Sequence, residues 1–190
     1  MDSAGSAGVD LVPTRAGGPP IAALRPIPRE SAHRASLSAR FGLGALPLHT
    51  DGAHLVRPPN VVLLEASAHG NTEDRVSTLL LRVRPRTVSP DLWHALGQGV
   101  FHVRAQGGFL SSVRTGMTIR FDPGCMAPLD PVARGAYRDL QRASGKAIKY
   151  SWGRGRILII DNTSVVHGRE PAPLGSERVL RRVMMRWPAE

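Results

Sequence analysis

From Leu46 onward the apolar residues come in short runs of Val, Ile and Leu broken by Gly, Pro and Asn, and this punctuation constrains the fold more than any other feature. Runs of that length between turn-forming residues are strands joined by loops. Strands are expected near residues 46–50, 60–66, 77–83, 100–104, 109–113, 147–152, 156–161 and 178–186. Two stretches carry helix signals instead. At 131–143, Pro131 follows Asp130 as a candidate N-cap and Gly145 supplies a stop; at 89–97, Ser89-Pro90 opens the segment and Gly97 closes it. No internal repeat is visible, which argues against a solenoid or propeller. Many short strands with two helices predict a mainly β fold, a double-stranded β-helix (jelly roll) with a few covering helices.

Residues 1–30 look different, rich in Gly, Ala, Pro and Ser without either periodicity. Gly17-Gly18-Pro19-Pro20 cannot continue a helix or a central strand, so a flexible or irregular arm is expected there, followed by one domain over 31–190. A chain of 190 residues accommodates one core of ordinary size and hence one active site. No apolar run approaches the ~18 residues of a membrane span, and the N-terminus has no basic segment ahead of an apolar one. A soluble, cytoplasmic protein is the expectation.

Cys125 is the only cysteine, which excludes an intrachain disulfide and a thiolate metal cage, so a metal site must use histidine and carboxylate. The formal charge of +10 would suit nucleic acid or an acidic ligand. The arginines are nevertheless scattered among Ala, Gly and Pro, with no run of like charge and no zinc-finger spacing. A dedicated nucleic-acid module is therefore not expected, and an anionic co-substrate accounts for the charge as well.

His49 and Asp51 are two residues apart in an extended segment, where alternation points both side chains the same way, side by side for one ion. Such a triplet also arises by chance, as a surface histidine and a turn aspartate before Gly52. The best third ligand is His167, in what reads as a polar loop after the apolar run 156–162. Two imidazoles and one carboxylate on one face of an octahedron leave open positions, as suits a non-haem iron(II) oxygenase; zinc hydrolysis is the chemical competitor. His33, His69, His94 and His102 are expected at or near the surface, and His54 is expected to pack locally rather than line a pocket.

In the last strand, Arg178, Leu180 and Arg182 share a face while Arg181 points away, so two arginines could serve one pocket and grip a carboxylate with a guanidinium fork. A solvated basic edge strand explains the same pattern.

Together, His49-Thr50-Asp51, Asp161-Asn162 ahead of His167-Gly168-Arg169, and Arg178 with Arg182 resemble the clavaminate synthase-like branch of the taurine dioxygenase superfamily. Asn60 after Pro58-Pro59, the strand beginning Thr78-Leu79 and the stretch 120–128 add to the likeness, which runs from about Ala45 to Arg186. The resemblance implies an Fe(II)/2-oxoglutarate-dependent dioxygenase using O2. His49, Asp51 and His167 would bind iron. Arg178 would hold the distal carboxylate of 2-oxoglutarate with Thr78 as its hydroxyl partner, Thr72 being the less favoured choice, and Arg182 would be a second basic residue near the site. The expected reaction is oxidation of a C–H bond of a small polar, amino-acid-derived substrate by hydroxylation, desaturation or cyclisation. Asp51 disfavours halogenation, because it fills the position a halide would need. Arg120 and Asp122 either face the pocket or pair within their loop.

One departure from the family stands out. Only 48 residues precede His49, where many relatives carry a much longer region. The resemblance therefore implies a fold shortened at the N-terminus, or one completed by a homo- or hetero-oligomeric partner, with a non-catalytic or partner-dependent subunit as the alternative function.

Overall fold

A computed structural model describes residues 8–66, 76–105 and 107–188. In chain order the strands are β1 (Asp10–Leu11), β2 (Ile21–Leu24), β3 (Leu46–His49), β4 (Val61–Ala66), β5 (Thr78–Arg82), β6 (Phe101–Val103), β7 (Phe109–Ser111), β8 (Arg114–Thr115), β9 (Thr118–Ile119), β10 (Met126–Pro128), β11 (Ile148–Tyr150), β12 (Ile157–Asp161), β13 (Val165–Arg169) and β14 (Leu180–Arg186). The α-helices are α1 (Ser38–Phe41), α2 (Pro90–Gln98) and α3 (Pro131–Arg142). No helix among the described residues is long and apolar enough to cross a membrane.

Two antiparallel sheets form the body. One runs β1-β14-β4-β12, with β2 on the same edge of β14 as β1; the other runs β11-β5-β13-β3. Between them lie Val62, Leu64 and Ile160 of the first sheet, Leu80 and Val165 of the second, and Trp152. Leu48, Leu81 and Val166 point from the opposite face of the second sheet into a separate cluster with Leu92, Leu96, Ala133, Ala136 and Leu140 of α2 and α3. Each large aliphatic side chain buried in these clusters contributes about 1.5–3 kcal/mol. The result is the expected jelly-roll architecture with helical cover.

This layering positions the site through strand alternation. On β3, β5 and β13, Leu48, Leu81 and Val166 face the helices, so His49, Thr78 and His167 face the space between the sheets.

Local chemistry explains the helices. The Asp130 carboxylate accepts from the Ala133 amide at 2.7 Å, Pro131 fills the first turn, and Ala133, Ala136 and Leu140 form one buried stripe. Ser89 caps α2 by accepting from the Leu92 amide at 3.2 Å.

Both helices and all the anticipated strands are present with bounds shifted by a few residues. Three features differ from the expectations. The segment expected to be irregular contributes β1 and β2, which pair with β14, and it buries Val12; its Gly17-Gly18-Pro19-Pro20 run is the connection between them, with Gly17 at φ +72°. Composition marked a break in regular structure there but not the long edge of β14 that organises both sides of it. His167 lies on a strand, β13, rather than in a polar loop. Asp51 sits in the turn just beyond β3 rather than within it.

Candidate metal centre

The site begins with a cross-strand pair. In the register of β13 against β3, His167 stands opposite His49, which closes 118 residues of sequence separation to a ring-centroid distance of 4.5 Å. The strands approach so closely at the next residue that a Cβ on Gly168 would lie 2.6 Å from the Leu46 carbonyl oxygen, and the register shifts there. Glycine is thus required for the two histidines to meet.

Asp51 is held by its backbone. Asn162, 2% exposed, accepts from the Asp51 amide at 2.9 Å and donates to the Asp51 carbonyl at 3.0 Å and the Pro59 carbonyl at 2.8 Å. Arg120 donates to the carbonyls of Ala53, Leu55 and Val56 and so anchors the loop that follows. The aspartate is therefore fixed in a turn that a strand would otherwise have to provide.

His49, Asp51 and His167 are all buried, and their donor atoms lie within 4.8 Å of one another, within reach of one ion. His49 Nδ1 lies 2.9 Å from the Pro47 carbonyl oxygen, which can only accept, so Nδ1 carries the proton and Nε2 offers its lone pair. Burial, reinforced by the neighbouring His167, lowers the His49 pKa and favours the neutral imidazole that a metal needs. Burial opposes charge on Asp51, but the Arg182 guanidinium and the two imidazoles outweigh it and hold that carboxyl well below the usual range.

Arg182 Nη1 donates to Asp51 Oδ1, leaving Oδ2 buried, without a hydrogen-bond partner among the described residues and 3.5 Å from His167 Nε2. A buried carboxylate oxygen without a partner is costly, and a cation held between it and the two imidazoles removes the cost. The donor set fits a divalent metal with nitrogen and oxygen ligands and open positions.

The arginines divide their work. Arg178, buried just ahead of β14, donates through Nη2 to Thr78 Oγ1 at 3.3 Å. Arg182 turns instead to Asp51, and its second terminal nitrogen donates to Thr14 Oγ1 at 3.0 Å. The structure thus brings Arg178 to Thr78 and Arg182 to Asp51. Thr72 and His69 lie outside the described residues. His33, His54, His94 and His102 are exposed, so His54 lines no buried pocket.

Sequence reasoning missed Asn162 as the clamp, Arg120 as the loop anchor, Thr14, and Trp152, whose indole donates to Thr78 Oγ1 at 2.9 Å. Asn162 and Arg120 stood inside stretches that carry the resemblance, whereas Thr14 and Trp152 carried no local signal.

No protein-family model matches the sequence, and no curated protein matches it. Solved structures do. Asparagine oxygenase in complex with Fe(II), 3-hydroxyasparagine and succinate superposes with a TM-score of 0.71 at 23% identity, over 90% of this chain and 58% of that one. This chain has the fold of an iron oxygenase. The non-haem iron oxygenase OrfP in complex with Fe and α-ketoglutaric acid gives a TM-score of 0.66 at 23% identity over the same shares. The chain therefore spans under three-fifths of the length of either oxygenase.

Proposed function

We propose that this chain is an Fe(II)/2-oxoglutarate-dependent oxygenase acting on a C–H bond of a small, amino-acid-derived substrate. The observation that carries the reading is the arrangement on one face of the second sheet. His167 pairs with Leu80 of β5, and Thr78 lies two residues along that strand on the same side, about 7 Å away along the backbone. A five-carbon dicarboxylate spans such a gap, with its keto acid end at the metal and its far carboxylate at Arg178 and Thr78.

In this assignment His49, Asp51 and His167 hold the iron, Arg178 and Thr78 bind the distal carboxylate, and Arg182 holds the ligand Asp51 in place through Oδ1, leaving Oδ2 for the metal. Arg178 is the strongest carboxylate binder available at that position, because a guanidinium gives parallel charge-assisted bonds. Bound iron and 2-oxoglutarate would supply oxygen activation, with succinate and carbon dioxide as by-products. The protein supplies orientation and a buried site, since all three ligands are shielded from solvent.

The substrate class is supported by two of the fold relatives, asparagine oxygenase holding 3-hydroxyasparagine and OrfP holding (3S)-hydroxy-L-arginine.

The test is anaerobic addition of Fe(II) and then 2-oxoglutarate to the purified chain. A visible metal-to-ligand charge-transfer band, lost in Arg178→Met and His167→Ala, is expected. Absence of both the band and 2-oxoglutarate binding overturns the proposal. A second reading, an oxygenase-like subunit completed by a partner, is favoured by the chain's matching only 58% of its fold relatives. A band that appears only when a partner is added selects it.

A further inference from the structure

Thr78 Oγ1 receives two hydrogen bonds, from Trp152 Nε1 at 2.9 Å and from Arg178 Nη2 at 3.3 Å. An indole N–H and a guanidinium N–H can only donate, so the hydroxyl oxygen is the acceptor in both. A hydroxyl has two lone pairs and one hydrogen, and both lone pairs are thereby occupied. The hydrogen must point elsewhere, and no group among the described residues accepts it. Thr78 is 2% exposed, so water is a poor substitute. A buried donor of this kind calls for an acceptor supplied by a ligand.

Trp152 is well placed to enforce this. It packs between the sheets with Leu64, Leu80 and Ile160, meets Tyr150 edge-on at 5.0 Å, and lies 5.9 Å from the Arg178 guanidinium, which sits over its ring. Tyr150 in turn pairs with Thr78 across β11 and β5. The indole is thus fixed by packing on one side and by the strand register on the other.

We propose that Trp152 is a positioning residue of the co-substrate site. By occupying a lone pair of Thr78 it makes that hydroxyl an obligate donor, so the pocket accepts a distal carboxylate and discriminates against a distal amide. A freely rotating hydroxyl could also accept from an amide N–H; one already receiving two donors can meet an amide only through its carbonyl oxygen, whereas either oxygen of a carboxylate suits it. The inference deepens the proposed function and rests on its assignment of 2-oxoglutarate to Arg178 and Thr78.

The experiment uses Fe(II)-loaded full chain under anaerobic conditions, with 2-oxoglutarate and its distal amide, 2-oxoglutaramate, as probes. Trp152→Phe keeps the aromatic packing and removes the N–H. Its Kd for 2-oxoglutarate is expected to rise about tenfold, the effect of losing one charge-supporting hydrogen bond. The ratio of the two Kd values should fall, and Fe(II) affinity should stay within twofold. An unchanged ratio and an unchanged Kd overturn the proposal.

A second measurement needs no change at Trp152. With Trp93→Phe and Trp187→Phe, Trp152 is the one tryptophan of the three left. Its emission should change as the distal carboxylate of 2-oxoglutarate approaches the guanidinium over its ring, with the Kd given by the charge-transfer band. Silence of that emission at saturation overturns the inference even where Trp152→Phe fails to fold. Wild-type chain that binds no 2-oxoglutarate overturns both this inference and the proposed function, whereas wild-type binding with an indifferent Trp152→Phe overturns only this one.

Discussion

Replacing Asn162 with alanine should separate the stability of the turn at Asp51 from the chemistry it serves. The side chain makes three hydrogen bonds to backbone, at 2.9, 3.0 and 2.8 Å, and it is almost wholly buried. Asn162→Ala leaves the Asp51 amide and the carbonyls of Asp51 and Pro59 without those partners. An unsatisfied buried backbone group costs about 1–3 kcal/mol. Water entering the space left by the amide would satisfy part of that, so a loss of about 3 kcal/mol in unfolding free energy is expected, a large share of a typical domain's 5–15 kcal/mol. With Asp51 no longer fixed, metal affinity should fall by about 10- to 100-fold, as for other residues that orient a ligand. Asn162→Asp should be at least as damaging, because one oxygen can still accept from the Asp51 amide while the other now faces two carbonyls it cannot donate to. Urea unfolding of the metal-free protein and Co(II) titration of the same variants measure the two effects. An Asn162→Ala protein with wild-type metal affinity and less than about 0.5 kcal/mol of destabilisation would refute the clamp.

Further substitutions test other links. Gly168→Ala puts a Cβ 2.6 Å from the Leu46 carbonyl oxygen and should cost about 1–3 kcal/mol while parting His167 from His49; thermal unfolding and Co(II) binding should both register it. Thr78→Val removes the acceptor shared by Trp152 and Arg178, so the metal-free chain should lose about 1–3 kcal/mol and 2-oxoglutarate binding should weaken at least tenfold, while Thr78→Ser restores both. The Asp130 carboxyl, held below its ordinary value by the amides of Ala133 and Val100, contributes stability that is fully present above the ordinary carboxylate range and is lost as pH falls through its lowered folded value. Urea midpoints of wild type and Asp130→Asn should therefore converge on acidification, and a constant gap down to pH 2 would contradict this.

Much of the fold was legible because its signals are local. Strand runs, the caps at Ser89 and Asp130, and the His49-Thr50-Asp51 spacing are each contained within a few residues, and periodicity or capping chemistry acts over that range. The pairing of Arg178 with Thr78 was anticipated through resemblance rather than spacing, since 100 residues separate them.

What the sequence alone determined, then, was the alternation of short strands, the two capped helices and a chemically coherent set of candidate ligands. Only the tertiary structure decided that residues 10–24 add strands to β14, that His167 is delivered by β13 opposite His49, that Arg182 bonds Asp51, that Asn162 clamps the backbone at Asp51, and that Trp152 donates to Thr78. The physical reason is that these partners meet through cross-strand register and sheet-on-sheet packing. Such contacts join residues far apart in the chain, and they depend on backbone carbonyls, lone pairs and close approaches that no run of neighbouring residues encodes.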